Sequence, residues 1–133
     1  MNTMKAILFV LLSMGLMLQG CMLLAVGAGA AAGAGTVAYI KGELQTNYAA
    51  SLDQTWQATL SALDDLGYKA ISSQKGGTEG EIEAKQVGGD KVKVHLSISG
   101  TGTTLVKIRV GIFGDEGVAR TINSKIALKL GVQ

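Results

Sequence analysis

Apolar and polar residues alternate along several short stretches in the second half of the chain, and glycine-containing turns separate them. In KVKVHLSI, residues 91–98, Val92, Val94, Leu96 and Ile98 fall on one side and polar residues on the other. Alternation with a period of two predicts a strand with one buried face. On this pattern we predict strands at residues 43–48, 68–74, 81–86, 91–98 and 104–110.

Two other stretches repeat their apolar residues at helical spacing. The first opens with Ser51 and Gln54, in the pattern of a capping box, and ends before Gly67, a residue suited to the left-handed conformation. The second is predicted from Asp115 to Leu130, with acidic residues at its start and lysines near its end, as the helix dipole favours. The predicted buried stripes are Leu52, Trp56, Leu60, Leu63 and Leu66 in the first helix, and Val118, Ile122, Ile126 and Leu130 in the second.

These elements follow one another in the order β-α-β-β-β-β-α. Strands with one apolar face and helices with one apolar stripe bury these surfaces against each other in two layers. The sequence therefore predicts an α+β domain over residues 41–133. Its expected form is an antiparallel sheet of about five strands with both helices on one face, while the other face is polar and solvated.

The first 40 residues follow a different pattern, because Lys5 is their single charged residue. A basic start and an apolar run from Ala6 to Met17 are typical of an export signal, and the run is short for a membrane span. The next residues, Leu18-Gln19-Gly20-Cys21, resemble the lipobox of bacterial lipoproteins, although Gln19 stands where a small residue is usual. We therefore predict a lipoprotein signal peptide over residues 1–20.

Cys21 is the only cysteine in the chain. The lipobox resemblance implies that its sulfur carries a diacylglyceryl group and its freed amine a further acyl chain, such as palmitate. Several acyl chains hold a protein stably on a membrane. Lipidation also explains an unpaired cysteine in an exported protein, the alternative being a chance cysteine beside an ordinary signal peptide. By resemblance to bacterial sorting signals, Met22 in place of Asp favours the outer membrane, facing the periplasm.

Residues 21–40 form an apolar segment rich in glycine and alanine, with no charge from Met22 to Ile40. Gly29 and Gly33 make a GxxxG pattern, and Ala31 and Gly35 repeat the spacing. Small residues four apart let two helices approach closely in lipid. The segment is therefore either a membrane-associated helix that packs on itself or on a partner, or a loose apolar spacer, since glycine disfavours a helix in water.

Charge is nearly balanced, with twelve Lys and Arg against ten Asp and Glu, so the composition gives no indication of nucleic-acid binding. Basic residues nevertheless group on the predicted outward sheet face, where they would meet an anionic surface or a protein partner. They are Lys91, Lys93, His95, Lys107 and Arg109. A solvated charged face is the plainer interpretation, and Glu81 and Glu83 are expected to form cross-strand ion pairs with these lysines.

No pattern in the sequence is typical of catalysis. His95 is the only histidine and lies on an exposed strand, so it supports neither a metal site nor a Ser-His-Asp arrangement. Gly111, Gly114 and Gly117 lie between a strand and a helix, but Asp115 and Glu116 place negative charge where a phosphate would bind. We expect a protein without enzymatic activity, metal or cofactor.

Three stretches together, GAGAAAGAGTVAYIKGEL, YAASLDQTWQATLSAL and IRVGIFGDEG, resemble a family of small bacterial lipoproteins of unknown function, domain-of-unknown-function family 3568. The resemblance covers nearly the whole chain. It implies lipid attachment at Cys21 and no established activity, cofactor or catalytic residue.

Two hypotheses from different classes follow. In the first, the protein is a lipid-anchored periplasmic module that binds or supports another envelope component, and Gly29 and Gly33 tolerate bulky residues. In the second, it is a structural membrane protein that self-assembles through its glycine-rich helix, and Gly33→Leu abolishes assembly. A small-molecule binder is a third interpretation, but the sequence shows no convergent polar residues for it.

Overall fold

The structure, a computed structural model, describes Thr3 and residues 37–132. Internal contacts divide the chain into two units, residues 1–32 and 33–133, and the fold concerns the second. Its described residues form six strands and two helices in the order β-β-α-β-β-β-β-α. The strands are β1 (Val37–Ile40), β2 (Glu43–Tyr48), β3 (Lys69–Lys75), β4 (Glu79–Lys85), β5 (Lys91–Gly100) and β6 (Thr103–Val110). The helices are α1 (Leu52–Asp65) and α2 (Glu116–Leu130).

All six strands belong to one antiparallel sheet in the order β1-β2-β6-β5-β4-β3. After β2, α1 carries the chain across one face to the far edge. Strands β3 to β6 then return as a meander until β6 pairs with β2. Helix α1 contacts β3 to β6, and α2 contacts β2, β6 and α1, so both helices cover the same face. The predicted α+β class is confirmed, with six strands rather than about five.

Both helix starts are capped by side chains. The Ser51 hydroxyl accepts a hydrogen bond from the Gln54 amide at 3.2 Å, and Ser51 N–H donates to Gln54 Oε1 at 3.2 Å, so the predicted capping box is confirmed. Asp115 accepts from the amide of Val118 at 3.1 Å. Each such cap satisfies amides that have no partner inside their helix. Gly67, at φ +82°, follows the end of α1 as predicted.

The core lies between the helices and the inner sheet face. Alternate residues of β2, β4, β5 and β6 point into it, and Ile82, Val94 and Ile108 are paired neighbours with no exposed surface. Trp56 of α1 is 7% exposed, so the prediction that it packs in the core is confirmed. Tyr48 is fully buried, and its hydroxyl donates to Asn123 Oδ1 of α2 at 2.5 Å. Burial raises the pKa of Tyr48, so its phenol stays neutral.

The structure corrects some details of the predicted elements. Ile98 was expected to point into the core but is 49% exposed, because it follows the last buried position of β5 and the pairing with β6 shifts just beyond it. Val118 and Leu130 are half-buried, whereas the unpredicted Ala119 is buried on α2. Strand β4 begins at Glu79 rather than Glu81, since Gly80 belongs to the strand and not to the turn.

Strand β1 is the one element that the sequence pattern did not predict. It lies before the predicted domain start at residue 41, within the stretch assigned to the apolar segment. Its residues Val37 to Ile40 pair with Thr46 to Glu43 of β2 across a tight turn at Lys41 and Gly42. Gly42 has a φ of +82°, which glycine adopts without strain. This turn lies beside the loop that precedes α2 and helps to position it.

Candidate functional site

The outer face of the sheet, which the helices leave uncovered, carries the five basic residues predicted to lie together. Strand register places them in three rows, the first of which holds Lys91 beside Lys85. Lys93 and Arg109 lie in the second row, flanked by Glu83 and Glu43, and His95 and Lys107 lie in the third, flanked by Glu81 and Gln45. The sequence pattern was sufficient to place these residues on one face, because side chains two apart on a strand share a side.

Lys91 and Lys93 of β5 form ion pairs with the glutamates of β4. Lys93 Nζ lies 3.3 Å from Glu83 Oε1 and 3.7 Å from Glu81 Oε1, and Lys91 Nζ lies 3.4 Å from Glu83 Oε2. The predicted cross-strand ion pairs are therefore confirmed for both lysines. Hydrogen bonds from Lys93 and then Lys91 hold the pKa of Glu83 below its usual value, and the same contact with Glu83 raises the pKa of Lys93. Much of the basic charge on this face is thus matched by carboxylates.

Arg109 joins three segments of the chain. Its Nη2 donates to Glu43 Oε1 and to the Lys41 carbonyl, both at 3.1 Å, and its Nη1 donates to the Ile112 carbonyl at 3.4 Å. A planar guanidinium suits such a junction because its donors diverge in fixed directions. Arg109 therefore holds the β1–β2 turn and the loop before α2 together. Lys107, by contrast, forms no ion pair with any described residue.

His95 lies at the edge of a shallow cavity of about 440 Å³ on the same face. Its Nε2 is 3.6 Å from Glu79 Oε2, a contact that becomes an ion pair when the imidazole is protonated. The remaining lining residues are Gln74, Lys75, Gly76, Gly80 and Glu81. Within residues 37–132, no group of three or more His, Cys, Asp or Glu is arranged to hold a metal ion. The cavity offers hydrogen-bonding groups to a polar ligand and no arrangement of acid, base and nucleophile.

A second cavity, of about 510 Å³, lies where the end of β2 and the two helices meet. Its polar lining groups are Gln54, Gln57 and Ser61 of α1 and Lys129 of α2. Lys129 Nζ is already paired with Asp65 Oδ2 at 2.7 Å, and this hydrogen bond is the main reason that the pKa of Asp65 is lowered. The lysine thus stabilises the contact between the helices and is not directed at a ligand.

The loop at residues 111–114 has the glycines that raised the question of a phosphate site. Gly111 and Gly114 have φ values of +71° and +84° and form a tight connection from β6 to α2. Asp115 occupies the start of α2 and accepts the Val118 amide. A carboxylate at this position takes the place that a phosphate would occupy. The sequence argument against a phosphate site is therefore consistent with this geometry.

The same loop exposes two large apolar residues that the sequence analysis did not single out. Ile112 is 85% and Phe113 is 92% exposed, and Val87 in the β4–β5 turn is 99% exposed. Ile112 and Phe113, which lie between two glycines, gave some indication of an exposed apolar loop in the sequence. A short connection between a strand and a helix seldom contains two large apolar side chains. Without the fold, however, nothing placed them outside the core.

The predicted lipid site, Cys21, and the predicted helix-packing residues Gly29, Ala31, Gly33 and Gly35 lie outside the described residues. Among the helices that the structure describes, neither has the length and apolar character needed to cross a membrane.

The sequence matches a known protein family. The family model for a protein of unknown function, DUF3568, matches residues 3–129. The chain belongs to the DUF3568 family. A search of curated proteins found no match to this chain. The predicted family is thus confirmed over almost the whole chain. Membership brings no activity, cofactor or catalytic residue to this DUF3568 protein, and its lipid attachment stays a prediction.

Proposed function

We propose that this DUF3568 protein is a lipid-anchored module of the bacterial cell envelope, without enzymatic activity, that binds or supports another envelope component on the periplasmic side of the outer membrane. The observation that carries the proposal is Leu18-Gln19-Gly20-Cys21 directly after an apolar run. Acylation at Cys21 would fix the protein to a membrane through its lipid alone. Lys5 would be removed with the signal peptide, which leaves the mature chain close to neutral.

The length of chain between the lipid site and the domain supports this arrangement. Fifteen residues, 22–36, lie between Cys21 and the first residue of β1, Val37. A chain extends by at most about 3.5 Å per residue, so this segment spans no more than about 55 Å. A domain on such a tether stays close to the membrane, where it meets envelope partners at high effective concentration.

The outer sheet face is the proposed partner surface. Its ion pairs arrange both signs of charge in fixed rows, which suits a protein with complementary charges better than a uniformly anionic surface. Lys107 offers a cation that no described carboxylate occupies, between His95 and Gln45. Envelope proteins captured through a photo-crosslinker at Lys107 in living cells, and not through one at Thr101 in the β5–β6 turn, would support this surface.

Membrane attachment is tested by washing membranes that contain the full chain or Cys21→Ser with salt and carbonate. The proposal expects the natural chain to stay with the membrane until detergent is added, and Cys21→Ser to lose acylation. Gln19→Ala is the matched control, because it brings the one unusual lipobox position to a small residue and should keep acylation. An unacylated natural chain would contradict the proposal.

A second candidate function rests on the spacing of Gly29 and Gly33, with Ala31 and Gly35. In it the protein assembles with copies of itself through a membrane helix. A photo-crosslinker at Ala31 should then give homodimer adducts, and Gly33→Leu should abolish them, while Ala34→Leu, a quarter-turn away on such a helix, should not. Adducts with a different protein would instead identify a partner of the anchored module, and lipid adducts alone would leave the segment as part of the anchor.

A further inference from the structure

Three exposed apolar side chains lie at one end of the sheet, and we call Val87, Ile112 and Phe113 the apolar tip. The β4–β5 turn and the loop 111–114 are neighbours there, because the Gly111 amide donates to the Lys91 carbonyl at 2.8 Å. A Cβ on Gly111 would also lie 3.4 Å from Asp90 Cγ. The three side chains are 85–99% exposed, whereas the neighbouring strand residues Val92 and Val110 are buried.

The loop is held in this conformation by contacts that leave its side chains outside. Arg109 binds the Ile112 carbonyl, and Gly114 packs against the β1–β2 turn so closely that a Cβ on it would lie 2.5 Å from the Gly42 carbonyl oxygen. Gly42 in turn approaches the Phe113 carbonyl. A loop with this many backbone contacts cannot turn Ile112 and Phe113 into the core. Large apolar side chains fixed in water point to a surface that covers them.

We infer that the apolar tip inserts into the interface of the phospholipid bilayer to which the protein is anchored. This inference rests on the proposed lipid anchor, which keeps the tip near a bilayer. Three side chains on two loop ends form too small a patch for a stable protein interface, which needs roughly 1,000 Å² or more. They suit the boundary between headgroups and acyl chains, about 5–10 Å deep. A tethered domain also needs only a weak contact to hold one orientation.

The charges around the tip fit the same occupant. Lys41 and Lys85 are exposed at this end of the sheet, and long lysine side chains can place their ammonium groups among lipid phosphates, whereas Lys91 beside them is paired with Glu83. Asp90 and Asp115 at the same end oppose a strong positive field. Insertion should therefore depend on the apolar side chains more than on charge, and moderate salt should change it little.

The tether permits this orientation. Strand β1 runs towards the β1–β2 turn, so the chain reaches the sheet at the end opposite to the tip. The four residues of β1 span about 13 Å, which is far less than the roughly 55 Å that residues 22–36 can cover. An anchor at Cys21 therefore does not prevent the tip from facing the membrane.

The test uses the full-length acylated protein, purified from membranes and reconstituted into vesicles of phosphatidylethanolamine and phosphatidylglycerol. Ile112→Cys carries an environment-sensitive fluorophore, and Thr101→Cys, in the turn at the opposite end of the sheet, carries the same label as a control. Cys21 takes no label because its sulfur is acylated. The inference expects blue-shifted emission at position 112, quenched by lipids with spin labels near the headgroup, and water-like emission at position 101.

A second pair of variants identifies the side chain responsible. Phe113→Asp should lower the inserted fraction of the label at position 112 about tenfold, since burying a large apolar side chain is worth a factor of that order. Leu128→Asp is the matched control, because Leu128 is 61% exposed on α2, far from the tip, and should leave the emission unchanged.

Each other outcome overturns the inference in a distinguishable way. Water-like emission at both positions, in protein that still floats with the vesicles, would refute the apolar tip and leave the anchor intact. A shielded label that lipid quenchers do not reach would mean contact with a second copy. Protein that does not float with the vesicles would refute the lipid anchor itself.

Discussion

Gly80 makes room for the indole of Trp56 against the sheet. A Cβ at this position would lie 2.5 Å from Cζ3 and 3.0 Å from Cε3 of the ring, which is buried in the core. We expect Gly80→Ala to lower the free energy of unfolding by about 1–3 kcal/mol, as overpacking of a core does. Urea denaturation followed by the fluorescence of Trp56, the only tryptophan, measures this change.

Gly77 is the matched control for this prediction. A Cβ there would meet no atom within 4 Å, and its backbone does not have a positive φ. Gly77→Ala should therefore change stability by no more than about 0.5 kcal/mol. Equal losses in the two variants would show that Gly80 does not act through the space it leaves for Trp56.

Thr46 carries a buried hydroxyl oxygen with no hydrogen-bond partner among residues 37–132. Valine has almost the same shape and removes this polar atom, so Thr46→Val should raise the free energy of unfolding by about 1 kcal/mol. Thr55 is the control, because it is equally buried but its hydroxyl donates to the Ser51 carbonyl at 2.8 Å. Thr55→Val should lower stability, and a similar loss in both variants would contradict the prediction.

At the scale of elements, the ion pairs between β4 and β5 make the stability of the sheet depend on pH. Lys93 and Lys91 lower the pKa of Glu83 in the folded state below its ordinary value of 4.5. The stabilisation from these pairs is therefore complete above that value and is lost as the pH falls through the lower, folded-state pKa. Glu83→Gln should flatten the acid side of the profile of melting temperature against pH.

Removing the cations gives the matched test of this prediction. In Lys91→Gln with Lys93→Gln, the carboxyl of Glu83 should titrate nearer to its ordinary value, so the acid side of the profile should flatten in the same direction. High salt should reduce the difference from the natural protein, since these groups are exposed to solvent. An unchanged profile in both variants would mean that the pairs do not contribute to folding stability.

Elements with a clear period were predictable, and the element without one was not. ELQTNY alternates and became β2, whereas VAYI is uncharged and continues an apolar stretch, so β1 could not be distinguished from the segment before it. In the sequence GGTEG, Gly80 resembles a turn residue. In the structure it lies in β4, where its lack of a side chain leaves room for the indole of Trp56. Tertiary packing, which the local pattern does not contain, decided both cases.

At the scale of the whole molecule, the sequence placed the basic residues on one face of the sheet but did not show their contacts, and the role of this face as a site stays a prediction. The strand period placed Lys91, Lys93, His95, Lys107 and Arg109 on one face. It could not show that Arg109 binds the carbonyl of Lys41, 68 positions away, because such contacts exist only once β2 and β6 are paired. The apolar tip was not predicted for the same reason, because the exposure of Ile112 and Phe113 depends on the fold and cannot be seen in the local sequence.

The central claim is that Cys21 anchors the protein to a membrane, and intact mass spectrometry of the full-length gene product extracted from bacterial membranes tests it most directly. The account predicts a mature chain that begins at Cys21 and carries a diacylglyceryl group and an amide-linked acyl chain. Tandem fragmentation should place both on the first residue. An intact chain that begins at Met1, or a cleaved chain without added lipid mass, would contradict the account.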